Sequence, residues 1–361
     1  MLKTLAIRDF RNYEEAHIEL SAGLNLVYGQ NAQGKTNLLE AIALISTAQL
    51  LRGHRDAEAI RHGCEEARIR GELVEHSTTV EVQLRRGVRK RALLNDMGLS
   101  RAADLLGRLP TVTFTTRDLE VLRGEPSERR LFVDLALSQL SAGYLRHLAH
   151  YRRAVDQRNA LLKMAQEQTV ESESFEVWEA ELCEHGAALR ELRHDYVRRL
   201  AGEATGFHRQ LANGEILGVV YMPKDPGATP DELSAAYRHH RSVEIHRGAT
   251  QIGPHRDDIY FTINELEIKL YGSQGQQRSA MIALKMAGLA VARQILRASP
   301  ILLLDDIFSD LDKHRRSNLI QLGLEHGGQV CITCTEPEQA GEDLMKQARH
   351  FEVRQGVVSQ R

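Results

Sequence analysis

Eight consecutive residues, Gly29-Gln30-Asn31-Ala32-Gln33-Gly34-Lys35-Thr36, match the pattern GxxxxGK[ST] at every fixed position. Glycines at those places let the backbone wrap so that successive N–H groups point inward at an anion. Lys35 then reaches the β- and γ-phosphates of a nucleotide, and the Thr36 hydroxyl ligates Mg²⁺. Asn37 opens the run that follows, whose helical pattern would aim its positive N-terminal end at the phosphates. The chemistry implied is the binding of ATP with Mg²⁺.

A second run, Ile301-Leu302-Leu303-Leu304-Asp305-Asp306, reads as a buried strand that ends in two carboxylates. Such a strand delivers Asp305 beside the phosphates to hold Mg²⁺ directly or through water, and places Asp306 to orient or deprotonate an attacking water. Upstream, Ser273 and Gln276 have capping-box spacing, and Gly275 strips bulk from the first turn of the helix they open. A helix start of this kind suits an anion, although an ordinary capped helix has the same pattern. Ser309-Asp310-Leu311-Asp312 follows the carboxylate pair directly. The strand-like run Gln329 to Thr335 would return a polar tip, Thr333 or Thr335, to the same place.

These groups need a frame. Gly23 to Tyr28 reads as a short strand entering the first loop, and Asn37 to Ile45 as an amphipathic helix leaving it. Val80 to Leu84 alternates as a strand and leads into Arg85, Arg86, Arg89, Lys90 and Arg91, five cations in seven residues at a hairpin tip. That density is either a solvated turn or a contact for a phosphate backbone. From Pro126 to Leu211 no proline occurs. One helical stripe runs through Tyr144, Leu148, Tyr151 and Val155, and a second through Trp178, Leu182, Leu189, Leu192, Tyr196 and Leu200. Joined by the polar stretch Gln166 to Ser174, they suggest an antiparallel helical hairpin. Arg146, Arg152, Arg153, Arg158, Arg190, Arg193, Arg198 and Arg199 are assigned to its outer, ion-paired faces.

The 361 residues are 42% hydrophobic, enough for a full core and two subdomains, and the net charge of −2 requires any DNA site to be a local patch. The first ten residues lack a signal pattern, and no uninterrupted apolar run approaches the ~18 residues of a membrane span. Cys331 and Cys334 read as strand cysteines, since no second pair completes a zinc site. A soluble, cytoplasmic protein is expected.

In their order along the chain these motifs resemble the ATP-binding-cassette heads of the SMC and Rad50 group. The roughly 265 residues between the two phosphate motifs are too few for a long coiled coil, which narrows the resemblance to the RecF family. Arg8-Asp9-Phe10-Arg11-Asn12-Tyr13, Gly34 to Ile42, Pro126-Ser127-Glu128-Arg129-Arg130, Tyr151 to Asn159 and Gly253-Pro254-His255-Arg256-Asp257-Asp258 also carry it. The last stretch contains a kinase-like His-Arg-Asp, but no Asp-Phe-Gly accompanies it.

The resemblance implies an α/β fold: an ABC-type P-loop ATPase head with a mixed-sheet core lobe, residues 1–116 and 293–361, and a mainly helical lobe, 117–292. It implies an ATP-dependent homodimer in which Gly29 to Asn37, Asp305 and Asp306 of one copy and Ser273 and Gly275 of the other sandwich each nucleotide, with Gln276 and Asp312 also among the nucleotide-binding residues. Binding to gapped DNA and single-strand/duplex junctions is implied, with RecR and RecO as partners in loading RecA onto gaps covered by single-strand-binding protein, as part of the SOS response and in association with the nucleoid. The implied turnover is weak and DNA-stimulated. Asp306 stands where a Glu is commoner in cassettes, and no histidine occupies the switch strand. An ABC cassette subunit coupled to membrane partners is the alternative.

Overall fold

The structure, a computed structural model, describes residues 1–52, 55–212, 214–306 and 313–361. Met1–Asp118 contains β1 (Leu2–Phe10), β2 (Tyr13–Glu19), β3 (Leu24–Tyr28), α1 (Lys35–Thr47), β4 (Glu66–Leu73), β5 (Thr79–Arg85), β6 (Val88–Leu94), β7 (Met97–Gly98) and β8 (Thr111–Phe114). Next come α2 (Glu120–Arg123), α3 (Pro126–Leu140), α4 (Ala142–Met164), α5 (Ser172–Leu211), β9 (Leu217–Met222), α6 (Pro230–Arg247), β10 (Asp258–Ile263), β11 (Leu266–Glu267), α7 (Ile268–Tyr271) and α8 (Gln274–Leu296). The chain closes with β12 (Ile301–Leu304), α9 (Lys313–Gly327), β13 (Gln329–Cys334), α10 (Glu342–Gln347), β14 (Arg349–Arg354) and β15 (Val357–Gln360).

Two compact units result, Met1–Asp118 with Met281–Arg361, and Leu119–Ala280. The second boundary lies twelve residues before the expected 292/293 (292 − 280), because it falls inside the continuous helix α8, where composition gives no break. By length and composition α8 is also able to cross a membrane, but 72% of its apolar window is buried inside the protein. Lys285, which interrupts that window, donates to Thr113 O at 2.6 Å and pairs with Asp118 Oδ1 at 2.6 Å.

In the first unit an antiparallel sheet runs in the order β2-β1-β4-β5-β6-β7, and a mixed sheet in the order β15-β14-β3-β13-β12-β8. Its five inner-to-edge strands β14, β3, β13, β12 and β8 are parallel, with β15 antiparallel at the end. Strands β12 and β13 are buried along their whole length, as expected of parallel strands covered on both faces. Leu38, Ile42 and Ile45 of α1 join Leu5, Ile7, Ile69 and Val82 of one sheet and Val27, Leu303 and Phe351 of the other in a single core.

The second unit is built on α4 and α5, with α6 packed against them and a three-stranded sheet, β11-β10-β9. Here three arginines assigned from sequence to outer faces prove to be interior. Arg158, Arg190 and Arg193 are all buried. Arg190 makes a bidentate pair with Asp225 at 2.7 and 2.8 Å, and another with Asp257 at 2.8 and 2.7 Å. Arg193 donates to Asp134 Oδ1 at 2.7 Å and to Pro254 O at 2.6 Å. Buried guanidinium groups are tolerated when every donor finds an oxygen in good geometry.

The Gly253–Asp258 stretch is therefore the tie of this unit. Gly253 has φ of 111°, and a Cβ there would stand 2.3 Å from the Tyr151 hydroxyl. His255 Nε2 faces the carbonyl of Thr250 at 3.1 Å and so must carry the proton, which leaves Nδ1 to accept from the Tyr151 hydroxyl at 2.7 Å. Burial lowers the His255 pKa from 6.5 to about 4. A histidine kept neutral in the fold but free to protonate when unfolded favours unfolding in acid. Stability is expected to be fully present above pH 6.5 and to fall as the pH drops from about 6.5 to 4, by roughly 3 kcal/mol in total from this residue. Urea unfolding at several pH values checks this, and His255→Gln is expected to flatten that part of the profile.

Candidate nucleotide site

The turn from β3 into α1 is the Gly29–Thr36 loop. Gly34 has φ of 120° and Gly29 φ of 150°, and a Cβ on Gly29 would meet Val353 O at 2.4 Å. Lys35 is buried, and its Nζ donates to Gly29 O at 2.6 Å and Gln30 O at 2.9 Å, which folds the ammonium back over the loop. Burial pushes the Lys35 pKa below its ordinary value, opposed first by the charge of Asp306 and then by Cys334 and Asp305.

Strand order brings the other groups to this loop. Between β3 and β12 lies β13, so the strands carrying the loop and the carboxylates flank the strand carrying Thr333. Asp305 Oδ1 accepts from the Thr36 hydroxyl at 2.9 Å and from the Thr333 hydroxyl at 2.8 Å. Thr333 Oγ1 in turn accepts from the Asp306 backbone N–H at 2.9 Å. Burial raises the Asp305 pKa, while the hydrogen bonds from Thr333 and Thr36 pull it down. Of the two threonines left open by the sequence, Thr333 takes this place; Thr335 instead accepts from Gln339 Nε2 at 2.7 Å. Cys331 and Cys334 are buried strand residues, and burial raises both thiol pKa values to about 12.

The oxygen donors fit Mg²⁺. Thr36 Oγ1 and Asp305 Oδ1 are 2.9 Å apart, and adjacent ligands of an octahedral ion with bonds of about 2.1 Å lie about 3.0 Å apart. A hydroxyl and a carboxylate are also the hard ligands this ion takes.

The residues that brace the loop carry no sequence pattern that assigns them to it. Asn12 Nδ2 donates to Gln33 O at 2.8 Å, and its Oδ1 accepts from Asn37 Nδ2 at 2.8 Å. The Tyr13 hydroxyl donates to Gly34 O at 2.9 Å. From the far end of the chain, Gly356 N donates to Gln33 O at 3.0 Å and Gln355 N to Gln33 Oε1 at 2.7 Å. Arg11 grips the fully buried Glu40 of α1 through two bonds of 2.9 and 2.8 Å. The only signal in the sequence was the Arg8–Tyr13 stretch, which spacing alone could not connect to a loop twenty residues later.

Ser273, Gly275 and Gln276 belong to the other unit. The capping box forms there: Gln276 N donates to Ser273 Oγ at 3.2 Å, and Ser273 N to Gln276 Oε1 at 2.8 Å. Around Gly275 the space is open, the nearest atom to a Cβ being Ser273 Oγ at 4.0 Å. Asp312, with Ser309, Asp310 and Leu311, lies outside the described residues. At the basic hairpin β5–β6, Arg85, Arg86, Arg89 and Arg91 are exposed. Lys90 is instead held by Asp56 at 2.8 Å, and Arg86 Nε donates to Cys64 O at 2.9 Å.

Residues 1–359 match the model of the RecF/RecN/SMC N-terminal domain. A protein of Symbiobacterium thermophilum named DNA replication and repair protein RecF is 42% identical, across 99% of this chain and 97% of its own. The chain belongs to the RecF family. A RecF of Lachnoclostridium phytofermentans, with the same protein name, is 35% identical over 99% of both chains. Among solved RecF structures, one of the recombination mediator RecF with ATP in the RecFOR pathway superimposes with a TM-score of 0.91. Its identity is 29%, over 100% of this chain and 97% of that one. An Smc head domain from Pyrococcus furiosus is similar in fold alone, with a TM-score of 0.57 at 15% identity over 100% and 95% of the two chains. The RecF fold is thus the α/β ABC-type ATPase head anticipated from the motifs.

Proposed function

We propose that this protein is an ATP-dependent DNA-binding protein of recombinational repair and replication, whose two copies close around bound ATP and grip gapped DNA or a single-strand/duplex junction. The observation that carries the reading is the single oxygen, Asp305 Oδ1, on which Thr36 and Thr333 both converge at 2.9 and 2.8 Å. The phosphate loop, the carboxylate strand and the strand between them meet there, as an ATP site requires. The full-length likeness to RecF proteins supports the DNA role.

In this reading Thr36 and Asp305 hold Mg²⁺, which when bound neutralises charge on the β- and γ-phosphates. Lys35 leaves the loop carbonyls for the same phosphates, and its partly buried ammonium gains more from them than a solvated one would. Asp306 orients or deprotonates the attacking water, while Thr333 fixes it through its backbone N–H. The two units serve as the lobes of the head. Ser273 and Gly275, with Gln276 keeping the cap in place, face the terminal phosphate held by the opposite copy, a group that ADP lacks. Asp306 is one methylene shorter than the Glu common in cassettes, which suits slow, DNA-stimulated hydrolysis that resets the clamp. Arg85, Arg86, Arg89 and Arg91 offer positive charge to a DNA backbone, with Lys90 committed to Asp56. RecR and RecO are the partners proposed for delivering RecA to gaps in the bacterial cytoplasm. A membrane-coupled cassette subunit is disfavoured by the end-to-end match to RecF proteins.

Sedimentation with ATP, ADP or no nucleotide, each with and without gapped DNA, tests the reading. Dimers are expected with ATP only, and binding to DNA is expected to weaken steeply with salt. Mixing a Lys35→Ala copy with a Ser273→Arg copy is expected to restore one working composite pocket. A mixture as inactive as either variant alone would overturn the shared site.

A further inference from the structure

Within the α4–α5 hairpin, four metal-ligand side chains converge that the nucleotide reading does not use. His147 and His150 are spaced i, i+3 on α4, and Glu181 and His185 i, i+4 on α5, so each pair shares one helix face. Glu181 Oε2 lies 3.3 Å from His185 Nε2 and 3.8 Å from His150 Nδ1. The ligand atoms of His150, Glu181 and His185 all fall within 4.8 Å of one another. Tetrahedral zinc with bonds of about 2.0–2.1 Å needs ligand atoms about 3.3–3.4 Å apart, so modest side-chain rotation suffices to close the set.

The remaining histidine has a place in the same geometry. His185 Nδ1 is 3.0 Å from His147 Nδ1. With Nε2 given to a metal, His185 must keep its proton on Nδ1 and donate it to His147, the kind of outer hydrogen bond that fixes the tautomer of a ligating histidine. The His185 side chain is only 12% exposed and so anchored, whereas His150 at 56% and Glu181 at 44% leave a path for an ion to enter. Two imidazoles and one carboxylate suit zinc, with water at the fourth position, better than magnesium or calcium, which take oxygen.

We propose that His150, Glu181 and His185 bind a zinc ion that fastens α4 to α5, with His147 as the positioning residue for His185. The site lies wholly within the second unit and is independent of the nucleotide residues.

The test is calorimetric titration of the full chain, freed of metal by a chelator, with zinc chloride, alongside thermal unfolding with and without zinc. One equivalent is expected to bind and to raise the unfolding midpoint, and cobalt(II) in its place is expected to give the visible bands of four-coordinate cobalt. His150→Ala/His185→Ala is expected to abolish that equivalent. Glu181→Gln, which keeps the shape of the side chain, is expected to do the same even if the double variant folds poorly. His147→Ala is expected to weaken binding about 10- to 100-fold without removing it. Absence of stoichiometric binding by the wild type, or an undiminished equivalent in Glu181→Gln, would overturn the site. Unchanged affinity in His147→Ala would overturn the positioning role.

Discussion

The Asp306→Asn protein is expected to bind ATP at least as tightly as the wild type and to hydrolyse it about a hundred- to ten-thousandfold more slowly. That range is the usual contribution of a positioned general base. Asp306 has φ of 50°, a left-handed conformation that asparagine accepts as readily as aspartate. Its backbone N–H is the group that Thr333 receives, so the substitution leaves that hydrogen bond in place. What is lost is one negative charge and one proton acceptor. That charge also lies near Lys35, and the incoming phosphates take over its part in stabilising the ammonium. With hydrolysis slowed, the ATP-bound dimer proposed above is expected to persist on DNA. Steady-state turnover and sedimentation of the same preparation measure both halves; wild-type turnover would remove Asp306 from the role of base, and a monomer at saturating ATP would remove the trapping.

Arg158→Met is expected to destabilise the second unit by roughly 3–5 kcal/mol, the usual cost of leaving a buried charge without its partner. Arg158 is 0% exposed. It donates to Glu179 Oε1 at 3.1 and 2.9 Å and to Thr250 Oγ1 at 3.2 Å, and pairs with Glu244 Oε2 at 2.7 Å. Methionine fills much of the same volume, so the loss would be electrostatic and not a cavity. Arg241 remains on Glu179 at 2.6 Å, but Glu244, also 0% exposed, would lose its paired cation and keep only the hydrogen bond that its Oε1 accepts from Gln251 N at 2.5 Å. Adding Glu244→Gln is therefore expected to recover part of the loss. Urea unfolding of the two singles and the double gives the coupling directly. A cost below about 1 kcal/mol for Arg158→Met would mean that solvent reaches the pair.

The contrast between these two residues explains what could be read from the sequence. The loop of Gly29, Gly34, Lys35 and Thr36, and its meeting with Asp305, were legible because the residue types proposed for phosphate and metal chemistry recur at short spacing, and the strands around them are continuous apolar runs. The parallel core was legible for the same reason. Arg158, Arg190 and Arg193 were misassigned because periodicity counts apolar residues, and an arginine on the buried line of a helix looks like a polar face. Only the fold reveals that Asp225, Asp257, Glu179 and Glu244 stand opposite them. The brace on the phosphate loop was hidden by distance: Asn12 and Gln33 are 21 positions apart, and Gln355 and Gln33 are 322 apart. Local patterning carries no information at that range. The boundary at Ala280 was invisible because a helix that runs through it has no capping or turn signal there.

The neighbours of β3 in its sheet are β13 and β14, each about three hundred residues downstream. The strand that leads into the phosphate loop is thus made long before its sheet partners and stays unpaired on both edges until they follow. Such long-range closure is slow and leaves an apolar strand uncovered meanwhile. A nascent or C-terminally clipped chain lacking β13 to β15 would carry every residue of the loop and still be unable to hold a nucleotide.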